Sequence, residues 1–196
     1  MGGGPRVVEV TLVLDVSGSM LADGKIQALN SAGRGLVTLL AGEEASSGLR
    51  IRLRRLAAGD EASWLDEAHR SVSELSWTPV VARERASSEL GVALAAAFSD
   101  HGERSVADPE CHRAVVVVTD GLPSDLMAPT FDEVVTWIDT DAAVASVTRI
   151  ALLIGRDADA AAMRPFVSNP DTDLLEARRL EVLADRLVTA AHRSLP

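Results

Sequence analysis

Three oxygen-bearing side chains alternate along one short stretch. In "VTLVLDVSGSM", residues 10–20, Asp15, Ser17 and Ser19 sit two apart, with Gly18 between the serines. A second aspartate, Asp120, closes the apolar run of "RAVVVVTDG" far downstream. Carboxylates and hydroxyls with no imidazole or thiolate beside them suit a hard divalent cation such as Mg²⁺, which prefers octahedral oxygen coordination and keeps waters. A few protein oxygens then suffice, and one position stays open to another ligand. The competing reading is a turn in which Asp and Ser bond only to local backbone. The two aspartates can serve one ion only if they end neighbouring strands, so the elements decide.

"RVVEVTLVLD" reads as a strand, apolar enough toward its end to be buried on both faces. From Lys25 to about Leu40, the residues Ile26, Leu29, Leu36, Val37 and Leu40 recur at helical spacing, and "AGEEASSG" ends that helix. Gly33 and Gly35 inside it predict close packing against a sheet. "LRIRLRRLAAGDEASWL" reads as a hairpin around Gly-Asp, with the arginines of "RIRLRRL" on a solvated face or an edge strand. Residues 67–87 carry little pattern. They hold His69, with no motif around it, and Trp77; like Trp64 and Trp137 it reads first as packing, though of the three it is the one best placed for exposed recognition. "SELGVALAAAF" is a helix with Ser87 or Ser88 as its N-cap. "TFDEVVTWIDTDAA" is another, capped by Thr130 with Asp132 and Glu133 in its first turn. Ser124 and Asp125, after Pro123, read as a turn and cap. "SVTRIALLIG" and "TDLLEA" read as strands, "DADAAAMRPFV" as a short helix and "RRLEVLADRLVTAAHRSL" as the closing helix.

Continuous apolar strands alternating with helices imply an α/β fold with a mainly parallel sheet covered on both faces. Ligands of such sheets bind beyond the carboxyl ends of the strands, where neighbouring connections leave for opposite faces. Asp15 and Asp120 would share that crevice if their strands are adjacent.

Composition narrows the function. The 196 residues predict one domain over 6–196 behind a glycine-rich leader, 1–5, expected to be disordered. A net charge of -10 argues against nucleic acid, whose phosphates need a basic face. The single cysteine, Cys111, excludes an intrachain disulfide and a multi-cysteine zinc site, and reads as a packing residue. No secretory signal is visible and no run approaches the roughly 20 apolar residues that cross a bilayer, so the expected compartment is the cytoplasm and no membrane partner is expected. No enzyme is expected either. There is no phosphate-cradling Gly-rich loop, no nucleophile elbow and no serine with a base and orienting group. An aspartate-based phosphotransferase would place a second acid where Ser17 stands.

"DVSGSM" together with "TDG" resembles a von Willebrand factor A (VWA) domain and its metal-ion-dependent adhesion site. The family pattern is Asp-x-Ser-x-Ser on a first loop, a Thr on a second and an Asp on a third. The resemblance implies that Asp15, Ser17, Ser19 and Asp120 hold a metal. On the second loop "ASSELGVAL" is similar to Gly-x-Thr-x-Leu-x-x-Ala-Leu, with Ser88 in the threonine position and Ser87 as fallback; the Gly and the Thr are both missing. The resemblance further implies a Rossmann-like fold with a six-stranded sheet in the order 3-2-1-4-5-6, its third strand antiparallel at one edge. The implied cofactor is Mg²⁺, with Mn²⁺ or Ca²⁺ as alternatives, and the implied partner is a protein that offers an Asp or Glu to the ion.

The order of elements, the helix "IQALNSAGRGLVTLL" and the "TDGLPSD" loop are most similar to bacterial stand-alone VWA proteins of the TerY type. That likeness implies an adaptor in a tellurium-resistance type of stress or defence system, working with a kinase, phosphatase or ATPase encoded nearby. The alternative is a metal-dependent phosphoester hydrolase; a third reading is a structural subunit that uses no metal. Met20 and Leu21, just past the first loop, either face a partner or tuck under the first helix.

Overall fold

Aliphatic and β-branched residues run almost uninterrupted through Val7–Asp15 (β1), His112–Thr119 (β5) and Thr148–Ile154 (β6), and these strands lie inside the sheet. The computed structural model describes residues 6–108, 110–121, 123–156, 158–193 and 195; the leader expected over 1–5 lies outside them. Arg50–Ala58 (β2), Ala62–Trp64 (β3), Arg70–Ser71 (β4) and Leu174–Ala177 (β7) complete a sheet of order β3-β2-β1-β5-β6-β7, with β4 also paired to β2. Neighbours from β2 to β7 are parallel, while β3 and β4 run antiparallel to β2. This is the expected order and edge polarity, with two-residue β4 as a seventh strand.

Lys25–Ser47 (α1) and Leu183–Arg193 (α5) cover one face. Leu90–Ala107 (α2) and Phe131–Thr140 (α3) cover the other, with short Ala160–Met163 (α4) contributing Met163. Strand alternation sorts β1 between them. Val8, Val10, Leu12 and Leu14 pack under α1 and α5, while Val13 packs under α2 and α3. Glu9, Thr11 and Asp15 share the side of Val13. Among the described residues, no helix is long and apolar enough to cross a membrane.

Four expectations change. The helix α1 continues through the polar "AGEEASS" to Gly48, which takes the left-handed conformation (φ 71°) that ends helices at low cost. The arginines of β2 are not on an edge, because β2 has β1 on one side and β3 and β4 on the other. Arg55 is buried and forked onto both oxygens of Asp66 at 2.8 and 2.9 Å, and Arg54 lies 3.6 Å over the Trp64 ring. Gly33 admits Trp77 rather than the sheet: a Cβ there would lie 2.3 Å from the indole, whereas one at Gly35 meets nothing within 4 Å. Trp77 is therefore core, donating its Nε1–H to Asn30, and not a recognition residue.

The helix caps also divide. Thr130 forms a reciprocal capping box with Glu133. Neither Ser87 nor Ser88 caps α2, whose N-cap is Glu89 without a side-chain bond. Asp125 does that work instead, accepting Gly91 N–H at 2.9 Å and Phe131 N–H at 2.6 Å, and so ties the starts of α2 and α3 together.

Candidate metal centre

The β1–β5 ladder runs to Leu14 opposite Val118, which leaves Asp15 beside Thr119 at the strand tips and Asp120 one residue on. From there β1 leads to α1 on one face and β5 to α3 on the other. The crevice between them is the switch point at which open α/β sheets bind ligands. Gly18 lets the first loop close against the segment before α2: its N–H donates to Ala86 O at 3.0 Å, and a Cβ would lie 3.1 Å from Arg85 N. That contact sets Ser88 over Asp15.

Asp15 is 1% exposed. Its Oδ1 accepts Ser17 N–H at 2.8 Å, and its Oδ2 accepts the hydroxyls of Ser88 at 3.0 Å and Thr119 at 2.6 Å. Ser19 donates to Asp120 Oδ1 at 2.7 Å and shares a 2.9 Å hydrogen bond with Ser17. Lys25 donates its ammonium to Asp120 Oδ2 at 2.6 Å. Asp15, Ser17, Ser19, Ser88 and Asp120 thus come together around one cavity of about 480 Å³, with Lys25, Gly121 and Ser124 also in its wall. Ser87 turns away, its hydroxyl lying 2.9 Å from a carboxylate oxygen of Asp60 and of Glu89, between which its one proton is shared. Met20 is fully buried and Leu21 is 40% exposed, so the pair splits between the two alternatives.

The donor set fits a hard dication. Two buried carboxylates face one ammonium. Lys25 serves Asp120, and among the described residues Asp15 has no cationic partner. Buried anions held only by hydroxyls and one amide leave negative charge in a low-dielectric pocket, the condition that a bound cation relieves. Among the described residues, no three His, Cys, Asp or Glu side chains converge as a metal cluster. An ion here must therefore also take hydroxyl oxygens, as Mg²⁺, Mn²⁺ and Ca²⁺ readily do.

Lys25 and Thr119 also belong to this centre, beyond the residues that the sequence motif marks. Thr119 stands beside Asp120 in "TDG", a signal in plain view. Lys25 opens a helix with no motif around it. Glu89 is a further supporting residue: 1% exposed, it accepts the Leu126 and Met127 amides at 3.0 to 3.2 Å and so anchors the loop that follows β5. Cys111 lies elsewhere, buried, with its thiol pushed up to about 11 by that burial, as suits a packing role.

No protein-family model matches the sequence, and no curated protein matches it significantly. Solved structures do match in shape. A von Willebrand factor type A protein from Catenulispora acidiphila superimposes with a TM-score of 0.65 at 18% identity, covering 95% of this chain and 42% of that one. A paralog of ArnB from Sulfolobus acidocaldarius gives a TM-score of 0.67 at 15% identity, covering 95% and 45%. Proximal thread matrix protein 1 from the mussel byssus, with zinc in its metal-ion-dependent adhesion motif, gives 0.60 at 13% identity, covering 96% and 46%. The chain spans less than half the length of each of these three proteins. At such identities the likeness establishes the fold, and the fold is that of VWA domains.

Proposed function

We propose that this chain is a metal-dependent protein–protein interaction module. Asp15, Ser17, Ser19, Ser88 and Asp120 hold a Mg²⁺ or similar dication, partly through waters, and the ion offers its remaining position to an Asp or Glu of a partner protein. The observation that carries this reading is the buried Asp15 carboxylate, which has no counter-ion among the described residues, in one cavity with Asp120 and three serine hydroxyls. The mussel protein with zinc at the corresponding motif supports a divalent ion in this fold, though of that protein only.

The chain's own groups favour binding over catalysis. The titratable side chains lining the cavity are Asp15, Asp120 and Lys25, and each is already engaged: Asp15 by three donors, Asp120 by Ser19 and Lys25. A phosphoester hydrolase would need one of them free to move a proton. We place the module in the cytoplasm as an adaptor of a bacterial stress or defence system of the tellurium-resistance type, its partner a kinase, phosphatase or ATPase of the same gene neighbourhood. The TerY-like helix "IQALNSAGRGLVTLL" and the "TDGLPSD" loop support that placement.

The test is capture of partner proteins on the immobilised chain. The same partner should be held in Mg²⁺ and lost both in EDTA and with Asp15→Ala. Retention in EDTA would contradict the mechanism.

A further inference from the structure

Beside the metal centre, at the carboxyl ends of β6 and β7, lies a cleft of about 460 Å³ with a mainly cationic wall. On a chain of net charge -10, it gathers Lys25, Arg156, Arg178 and Arg179 against two acids, Asp23 and Glu181. The backbone builds this gathering. Gly155 takes a φ of +100° that few residues with a side chain adopt, and donates its N–H to Ala177 O at 3.0 Å. The two strand ends are thereby pinned together, and Arg156 emerges beside Arg178 and Arg179. The missing side chain at Gly155 matters as well: a Cβ there would lie 3.2 Å from Lys25 Cε, so the lysine stem crosses the glycine to reach Asp120. Lys25 lines both cavities, which makes the cleft and the metal centre one continuous surface.

The arginines are available. Arg178 pairs with Glu176, but Arg156 and Arg179 are exposed and, among the described residues, have no carboxylate partner. Planar guanidinium groups recognise carboxylates in a forked, two-bond geometry. We propose that this cleft is a second anion subsite for the same partner, so that the partner presents a run of acidic residues rather than one isolated carboxylate. One acid reaches the metal and the next reach Arg156 and Arg179. Asp23 and Glu181 keep the cleft only moderately cationic, which suits singly charged carboxylates spaced along a chain better than a compact phosphate dianion. The inference rests on the metal-dependent reading above and adds to it a length and charge pattern for the partner.

Two labelled peptides test it by fluorescence anisotropy, in excess Mg²⁺ and in EDTA. One carries a single Glu in a Gly-Ser background and the other a run of Glu residues in the same background. Wild-type protein in Mg²⁺ should bind the Glu-run peptide about tenfold more tightly than the single-Glu peptide. The double charge reversal Arg156→Glu/Arg179→Glu should erase that advantage, leave single-Glu binding within about twofold, and leave the circular dichroism unchanged because both side chains are exposed. Mg²⁺-dependent binding that is indifferent to the charge reversal would overturn the cleft and leave the metal reading standing. Arginine-dependent binding with no response to Mg²⁺ would overturn the shared-partner proposal through its metal half. Failure of the Glu-run peptide to bind at all would overturn it outright.

Discussion

One strand, β1, carries two buried polar clusters on the same face, and they have opposite fates. At its end, Asp15 looks into an open cavity with hydroxyls around it and, among the described residues, no cation of its own. Near its start, Glu9 and Thr11 sit in a closed cluster under α2. Glu9 is 2% exposed and is surrounded by Arg104 at 2.9 Å, Arg52 at 3.5 Å and Arg113 at 3.6 Å. Thr11 bonds to Nε2 of both His69, at 3.2 Å, and His101, at 3.0 Å, while His69 Nδ1 stands 3.8 Å from Asp100. That acid, imidazole and hydroxyl have the outline of a catalytic relay, but Thr11 is fully buried and no substrate can reach it. The closed cluster sets Glu9 and Asp100 against arginines and so serves the fold, although among the described residues Nδ1 of both histidines, Arg113 Nε and Asp100 Oδ2 find no hydrogen-bond partner. The open one holds the Asp15 carboxylate with two hydroxyls and one amide but, among the described residues, with no cation, and so serves a ligand. Burial and polarity are common to both; counter-charge and access separate them.

If that distinction holds, the largest cost to folding comes from the closed cluster. Glu9→Ala strands Arg113, which is 5% exposed, and Arg104 without their carboxylate, and should lower the unfolding free energy in urea by roughly 3 kcal/mol. Acid should attack the same place. Burial, against the pull of Glu9, lowers His69 to about 3 and His101 to about 4, well below the ordinary value of 6.5. The unfolded chain therefore binds protons that the folded chain refuses, between about pH 6.5 and pH 4 at His101 and down to about pH 3 at His69. The stability of the neutral imidazoles is fully present above that window and is lost as pH falls through it, by up to roughly 1.4 kcal/mol per pH unit for each ring. Denaturation at a series of pH values checks this; a flat profile from pH 7 to 5 would break the comparison.

Effects at the open cluster should be smaller for the fold. Lys25→Met removes the counter-ion of Asp120 and should cost about 1 kcal/mol without metal. It should also tighten Mg²⁺ binding by up to about tenfold, since no ammonium then shares that carboxylate. Asp15→Asn should change metal-free stability least, by less than about 1 kcal/mol, because the Ser88 and Thr119 hydroxyls can rotate from donating to accepting. A loss there as large as at Glu9 would mean that the cavity is structural.

The two clusters also differ in how far they can be read from sequence. Asp15, Ser17, Ser19 and Asp120 declare themselves because each follows or ends an apolar strand, and strand tips are where side chains become free for chemistry. The alternation of strands and helices is equally local, whereas the sheet order is implied only by the resemblance to VWA domains. The closed cluster draws on Glu9, Thr11, His69, Asp100, His101, Arg104 and Arg113, from segments with no shared spacing, and it exists only once α2 lies across the sheet. For the same reason the arginines of β2 look solvated in sequence: nothing local announces that Asp66 and Trp64 will cover them. Ser88 matches the expected hydroxyl but not the expected cap, because Asp125, far along the chain, takes the helix amide first. Lys25 is hidden likewise, its partner Asp120 being reached across the sheet rather than along the helix.

Whether the Asp15 cavity takes a dication decides the role of this centre. Titration calorimetry of Mg²⁺, and then Mn²⁺, into the purified chain and its Asp15→Asn variant measures this directly. One ion per wild-type chain and no saturable heat with the variant is the predicted result. Equal binding by both proteins, or none by the wild type, would contradict it.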